Sequence, residues 1–272
     1  MLLSAKLAPT FGYPVLEDFW RSADDVGFHA IWNYDHLYGL TEPSMPTLEA
    51  WTTLSAMAAV TRHARVGCMV TDVTYRHPAL LAKMAVTVDQ ISQGRLSFGI
   101  GTGWHDAEHR DNGIAFPSPG TRVAMLDEAL TVIRRLWSED SVDIAGRFFT
   151  LNGARCDPKP IQRPNPPIIV GGGKPKMLRV VARHADEWNW TGTPQEWGKA
   201  NERLNDVCRD IGRNPSEIGR SVQLFLHPQD DGQVEEQLAA IPEYEKLGCQ
   251  HAVLSFYQPP TGELLRRCVS LA

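Results

Sequence analysis

Eight times along the chain an amphipathic stretch and a short apolar run alternate, and no other feature constrains the fold as much. VLEDFWRSADDVGF leads into HAIWNY, WTTLSAMAAVTRHA into RVGCMV, and LLAKMAVTVDQISQGR into LSFGIG. Farther on, MLRVVARHADE leads into WNW, NERLNDVCRDIG into RSVQLFLH after a turn, and PEYEKLGCQ into HAVLSF. MLLSAKLA opens the series, and PPIIVGG precedes the MLRVV helix. Within the first helix Val15, Leu16, Phe19, Ala23 and Val26 recur at the spacing of one helical face. Gly27, Gly94 and Gly248 stand where such helices end in a left-handed turn. The apolar runs are nearly continuous, as parallel strands covered on both faces require.

Eight such units in 272 residues predict an α/β fold, a (β/α)8 TIM barrel forming one domain over residues 1–272. A doubly wound sheet would open on a glycine-rich fingerprint, and the first turn here, LAPTFGYP, has none. The piece at 138–167 breaks the rhythm. Its alternating FFTL and its prolines predict a small hairpin and an extended loop inserted before the fifth strand.

Net charge −5 and a pI near 6.0 provide no field that would gather nucleic acid or an anionic membrane surface. No apolar run approaches the roughly 18 residues that span a bilayer. The N-terminal apolar run is too short for a secretion signal, and Lys6 interrupts it. Five scattered cysteines with no CxxC pair point to a reducing compartment. A cytoplasmic protein acting on a small molecule is the expectation.

Barrels of this kind keep their chemistry at the C-terminal ends of the strands. The residues there are Asn33 to His36, Thr71 to His77, Gly101 to His105, Gly171 to Lys174, and Trp188 to Thr191. They are rich in aromatic and hydrogen-bonding groups and poor in clustered carboxylates, which suits a large flat ligand better than a hard cation. VGGGKPKMLRVV is the phosphate candidate: Gly171, Gly172 and Gly173 precede a helix start carrying Pro175, Lys174 and Lys176. An ordinary glycine-rich turn has the same letters. GIGTGWHDAEH raises a different question. It lacks the GxGxxG spacing. HDAEH matches the HxxEH zinc pattern by letters, so a zinc hydrolase built on Asp35, His36, His105 and His109 is the rival reading. That pattern belongs within a helix, whereas here it begins at a strand end. The plainer reading makes His105 and His109 solvated helix residues, with no metal.

Together WNYDHLYG at 32–39, MVTDVTYRHPALLAKMAVTVDQISQGRLSFGIGTGW at 69–104 and IIVGGGKPKMLRVVARHADEWNW at 168–190 resemble the luciferase-like flavin and deazaflavin oxidoreductases. The TYRHP and GTGW variants resemble the branch that uses coenzyme F420 rather than FMN. That resemblance implies an oxidoreductase passing a hydride between the deazaflavin and an organic substrate. An FMN-dependent monooxygenase is the alternative. The resemblance to the F420 branch implies a non-prolyl cis peptide at Asp72–Val73, His36 at the ring's reactive edge, and cofactor contacts from Asp35, Thr71, Asp72, Val73, Thr102 and Gly103. The phosphate falls to Gly171, Gly172, Gly173 and Lys174. Trp104 stands where sugar-phosphate dehydrogenases of the branch carry a glutamate, so Trp104, with Trp188, is expected to wall an apolar substrate pocket. A homodimer is the assembly the resemblance implies.

Overall fold

The computed structural model describes residues 1–40 and 42–270. The chain opens with β1 (Leu2–Leu7), α1 (Tyr13–Val26), β2 (Ala30–Asn33), α2 (Ala50–Val60) and β3 (Arg65–Cys68). A two-residue strand β4 (Thr71–Asp72), helix α3 (Pro78–Ile91) and β5 (Leu96–Gly101) follow. Next come α4 (Asp106–Asp111), α5 (Pro119–Ser138), β6 (Val142–Ala145), β7 (Thr150–Ala154) and β8 (Ile168–Gly171). The last part holds α6 (Pro175–His184), β9 (Glu187–Trp190), α7 (Pro194–Asp210), β10 (Gly219–Leu226), α8 (Asp231–Ala239), α9 (Ile241–Lys246), β11 (His251–Phe256) and α10 (Gly262–Val269).

Eight of these strands pair in parallel in the order β3, β2, β1, β11, β10, β9, β8, β5, and β5 returns to β3 to close the ring. The barrel expected from the alternation is therefore present. β6 and β7 form a separate antiparallel hairpin between α5 and β8, within the segment where the rhythm fails. Glu128 on α5 anchors its turn, taking the backbone N–H groups of Arg147, Phe148 and Phe149.

Strand periodicity separates two cores. Leu3, Ala5 and Leu7 of β1 point outward into the layer between strands and helices, which holds most of the buried apolar residues. Inside the ring a small second cluster forms from Ala30, Trp32, Met69, Ile169 and Val253. Inward positions at the N-terminal end are polar. Ser4 and His251 bond at 2.6 Å, and His251 bonds Glu187 at 3.0 Å. This Ser–His–Glu chain is structural, because Ser4 is wholly buried. The inner apolar cluster thus caps a polar floor and leaves the opposite end open.

The third strand is interrupted where it reaches that open end. The non-prolyl cis peptide joins Met69 to Val70, three residues before the expected Asp72–Val73 bond. The reason lies in the pairing. Thr71 and Asp72 pair in parallel with Ile100 and Gly101, Val73 N–H bonds the Gly101 carbonyl, and Asp72 N–H bonds the Asp35 carboxylate. The bulge forms between β3 and β4 instead, and Gly99 opposite admits it: a Cβ there would overlap the Cys68 carbonyl.

Candidate active site

A cavity of about 480 Å³ opens at the C-terminal ends of the strands. Its walls include the Met69–Val70 bulge, Phe225, Phe256 and Tyr257, with Tyr34, His36 and Trp104 on one side. Its size is within the range of small-molecule sites.

His36 follows β2, and its Nδ1 lies 2.9 Å from Oε2 of Glu108. Glu108 is a fully buried carboxylate on α4. Its other oxygen accepts the backbone N–H groups of Leu37 at 2.6 Å and Tyr38 at 2.9 Å, and Tyr75 OH donates to Oε2 at 2.7 Å. Burial alone would raise the Glu108 pKa, but donation from His36, Tyr75 and Tyr38 outweighs it and brings it down to about 2. An ionised carboxylate only accepts, so His36 carries its proton on Nδ1. Nε2 then has no protein partner among the described residues. Tyr75 is correspondingly harder to ionise, first through burial and then through the Glu108 charge beside it.

The residues expected at the site divide. Asp35, His36, Asp72, Gly103 and Trp104 line the cavity. Asp35 is held by a forked pair from Arg76 at 2.6 and 3.0 Å, and Arg76 also reaches Glu49. Asp72 takes the N–H and hydroxyl of Thr74. Gly103, at φ +68, leaves room for that carboxylate, which a Cβ would overlap. Trp104 is 62% exposed at the mouth, its ring 5.5 Å from that of His36. Thr71 is wholly buried with its hydroxyl taking the Trp51 indole N–H, and Val73 belongs to the outer core. Neither lines the cavity. Thr102 turns its carbonyl to Arg122 and lies beside it.

Trp188 is a correction. It points outward from β9, is fully buried against Trp197, and donates to the Gly172 carbonyl at 2.8 Å. Strand parity sends it to the helix layer while Asn189 faces in. His105 and His109 are also not solvated helix residues. His105 caps α4, and His109 is wholly buried between Thr74 and the His105 carbonyl. Among the described residues no group of three His, Cys, Asp or Glu side chains is placed to hold a metal ion.

Gly171 to Lys174 form the rim outside the cavity, and a Cβ on Gly171 would lie 3.7 Å from Val70, which lines it. The helix that follows, α6, has no side-chain cap, whereas α2 to α5 each have one. The N–H groups of Lys176 and Met177 have no partner among the described residues, and Lys174 and Lys176 are exposed. Gly172 sits at φ +117. Free donors, two cations and no side chain in the way fit a phosphate. A flat ring fits the cavity beside it.

Sequence reasoning overlooked Glu108, Lys6, Gln223 and Ser255. Glu108 was hidden inside the HDAEH zinc pattern. The other three had a readable signal: each is a polar residue in an apolar strand, at the inward parity of LLSAKL, SVQLFL or HAVLSF.

Fold and cavity define a (β/α)8 barrel with a cavity of small-molecule size at the C-terminal mouth. More narrowly, the chain belongs to the luciferase-like monooxygenase family, a family of oxidoreductases, whose profile matches residues 4–261. An uncharacterized Mycobacterium tuberculosis protein is 35% identical over 188 residues, 69% of this chain and 64% of the relative's length. The chain thus spans under two thirds of that relative. The phthiodiolone/phenolphthiodiolone dimycocerosates ketoreductase of the same organism is 29% identical over 263 residues, 88% of this chain and 67% of the relative. The solved structure of an F420-dependent secondary alcohol dehydrogenase in complex with an F420–acetone adduct superimposes with a TM-score of 0.87 at 19% identity, covering 100% of this chain and 99% of that one. A cofactor of the flavin type accompanies this fold among its neighbours. No helix of the described residues is long and apolar enough to cross a membrane.

Proposed function

We propose that this protein is an F420-dependent oxidoreductase that moves a hydride between the deazaflavin and an organic carbonyl or alcohol. The observation that carries the reading is the His36–Glu108 pair at the cavity wall. Bound deazaflavin supplies the hydride-exchanging carbon. What the chain supplies is a proton site and a shaped cavity with apolar walls. Glu108 accepts the Nδ1–H of His36, so the neutral ring takes a proton at Nε2 from a hydroxyl during oxidation, and the doubly protonated ring, its charge balanced by Glu108, gives the Nε2 proton to a carbonyl oxygen during reduction. Charge and atoms balance: a hydride reaches carbon as a proton reaches oxygen. Phe225, Phe256, Tyr257 and Trp104 give the cavity apolar walls against which a flat ring can lie. Gly172, Gly173 and Lys174 with the open start of α6 would hold the coenzyme's phosphate. Support also comes from the F420-dependent alcohol dehydrogenase with its acetone adduct and from the ketoreductase relative, both concerned with a carbonyl carbon.

Fluorescence titration of the purified protein with F420, with FMN in parallel, tests the reading. Saturable quenching by F420 is the expected result. Tight FMN binding without affinity for F420 would overturn it and make the protein an FMN-dependent monooxygenase of the same family.

A further inference from the structure

Among the described residues Lys6 is a buried cation without a counter-charge. It stands at the inward end of β1, is 7% exposed, and lines the cavity. Its ammonium donates to Gln223 Oε1 at 3.3 Å and lies 5.7 Å from the Tyr34 ring centre. No carboxylate among the described residues pairs with it. An ammonium has three donors, and among the described residues only one of these is used. Gln223 turns its oxygen to Lys6, so its amide N–H groups are left over, and Ser255, paired with Lys6 across β1 and β11, makes no side-chain hydrogen bond among the described residues. All three side chains line the same cavity. Leaving a buried charge unmatched is costly, and the usual remedy is an opposite charge with hydrogen bonds around it.

The placement in the ring matters. Counting along the closed sheet, β1 lies four strands from β8 in either direction. Lys6 is therefore on the wall opposite the glycine cradle, across the mouth from the phosphate proposed there. The Tyr34 ring neighbours both groups, its centre 5.7 Å from the Lys6 ammonium and 5.0 Å from the His36 ring. Lys6 and the proton-exchanging histidine thus share one aromatic neighbour.

We propose that Lys6, Gln223 and Ser255 form a carboxylate subsite, so that the organic substrate of this enzyme is an acid whose carboxylate is a binding handle that takes no part in bond making. This names the substrate class for the function proposed above and rests on that reading for the chemistry, though not for the binding.

Binding to the cofactor-free protein tests it, with benzoate and phenylpyruvate as probes and benzamide as the neutral control, read by isothermal titration and by tryptophan fluorescence. The native protein is expected to prefer the carboxylates over the amide, a measurement that needs no variant. In Lys6→Met the carboxylates should weaken at least tenfold while benzamide is unchanged. Equal binding of benzoate and benzamide by the native protein would overturn the proposal. A second arm measures oxidised and reduced F420 on both proteins. Equal affinities in native and Lys6→Met support the subsite, whereas loss of the reduced form alone would make the coenzyme's own ring the anion and overturn it. Carboxylate selectivity that depends on Lys6 supports the subsite even where F420 fails to bind, an outcome that sinks only the cofactor reading.

Discussion

Oε2 of Glu108, which solvent does not reach, accepts the Nδ1–H of His36 across an N···O distance of 2.9 Å. The same carboxylate ties down the Leu37 and Tyr38 amides that follow the histidine. One buried charge thus sets both the tautomer of the ring and the path of the chain that carries it.

Replacing Glu108 by Gln removes the charge and lets either tautomer of His36 form. The expected loss is on the order of 100-fold in kcat, with KM changed only a few-fold, because the interaction matters when the proton moves. His36→Ala should lose a similar amount, and the double variant little more than either. Steady-state kinetics with F420 decides it, and an undiminished kcat in Glu108→Gln would remove His36 from the reaction.

Acid should destabilise the protein through the same group. Glu108 falls from an ordinary 4.5 to about 2 on folding, burial working against the shift and the donors from His36, Tyr75 and Tyr38 winning. A depressed carboxylate contributes stability that is full above 4.5 and drains away as pH falls toward 2. Urea unfolding across pH 2 to 6 should show this slope, shallower in Glu108→Gln.

Lys6 acts in the same direction at higher pH. Burial pulls its pKa from 10.5 to about 8, with the Cys68 thiol a smaller opposing influence. Stability linked to the neutral amine is present above 10.5 and lost as pH falls through 8, so at pH 7 the folded protein bears the cost of a buried cation. Lys6→Met should therefore be more stable at pH 7, by about 1–3 kcal/mol. The gain should shrink toward pH 10. Unfolding curves that coincide at both pH values would contradict it.

The two tryptophans once grouped together should behave oppositely. Trp188→Ala empties a packed site and breaks the bond to the Gly172 carbonyl, costing about 3–5 kcal/mol. Trp104→Ala at the exposed mouth should cost less than about 1 kcal/mol and act on KM instead. Thermal melts and Michaelis kinetics on both variants separate the two roles.

The alternation of apolar and amphipathic stretches, set by hydrophobic periodicity, determined the barrel, the place of the hairpin and the end at which a site belongs. It also placed His36, Asp35, Asp72, Gly103 and Trp104 at that end, since strand termini can be read along the chain. What the sequence could not fix was pairing between distant segments. Glu108 meets His36 across 72 positions, and Lys6 meets Gln223 across 217. Side-chain parity in a strand decides between cavity and helix layer, and one position separates Trp188 in the core from Asn189 facing the interior. The bulge at Met69–Val70 likewise depends on the missing side chain of Gly99 in the neighbouring strand. Local patterning is written in successive residues, but the charges and contacts that make a site chemical arise only when ring closure brings its strands together.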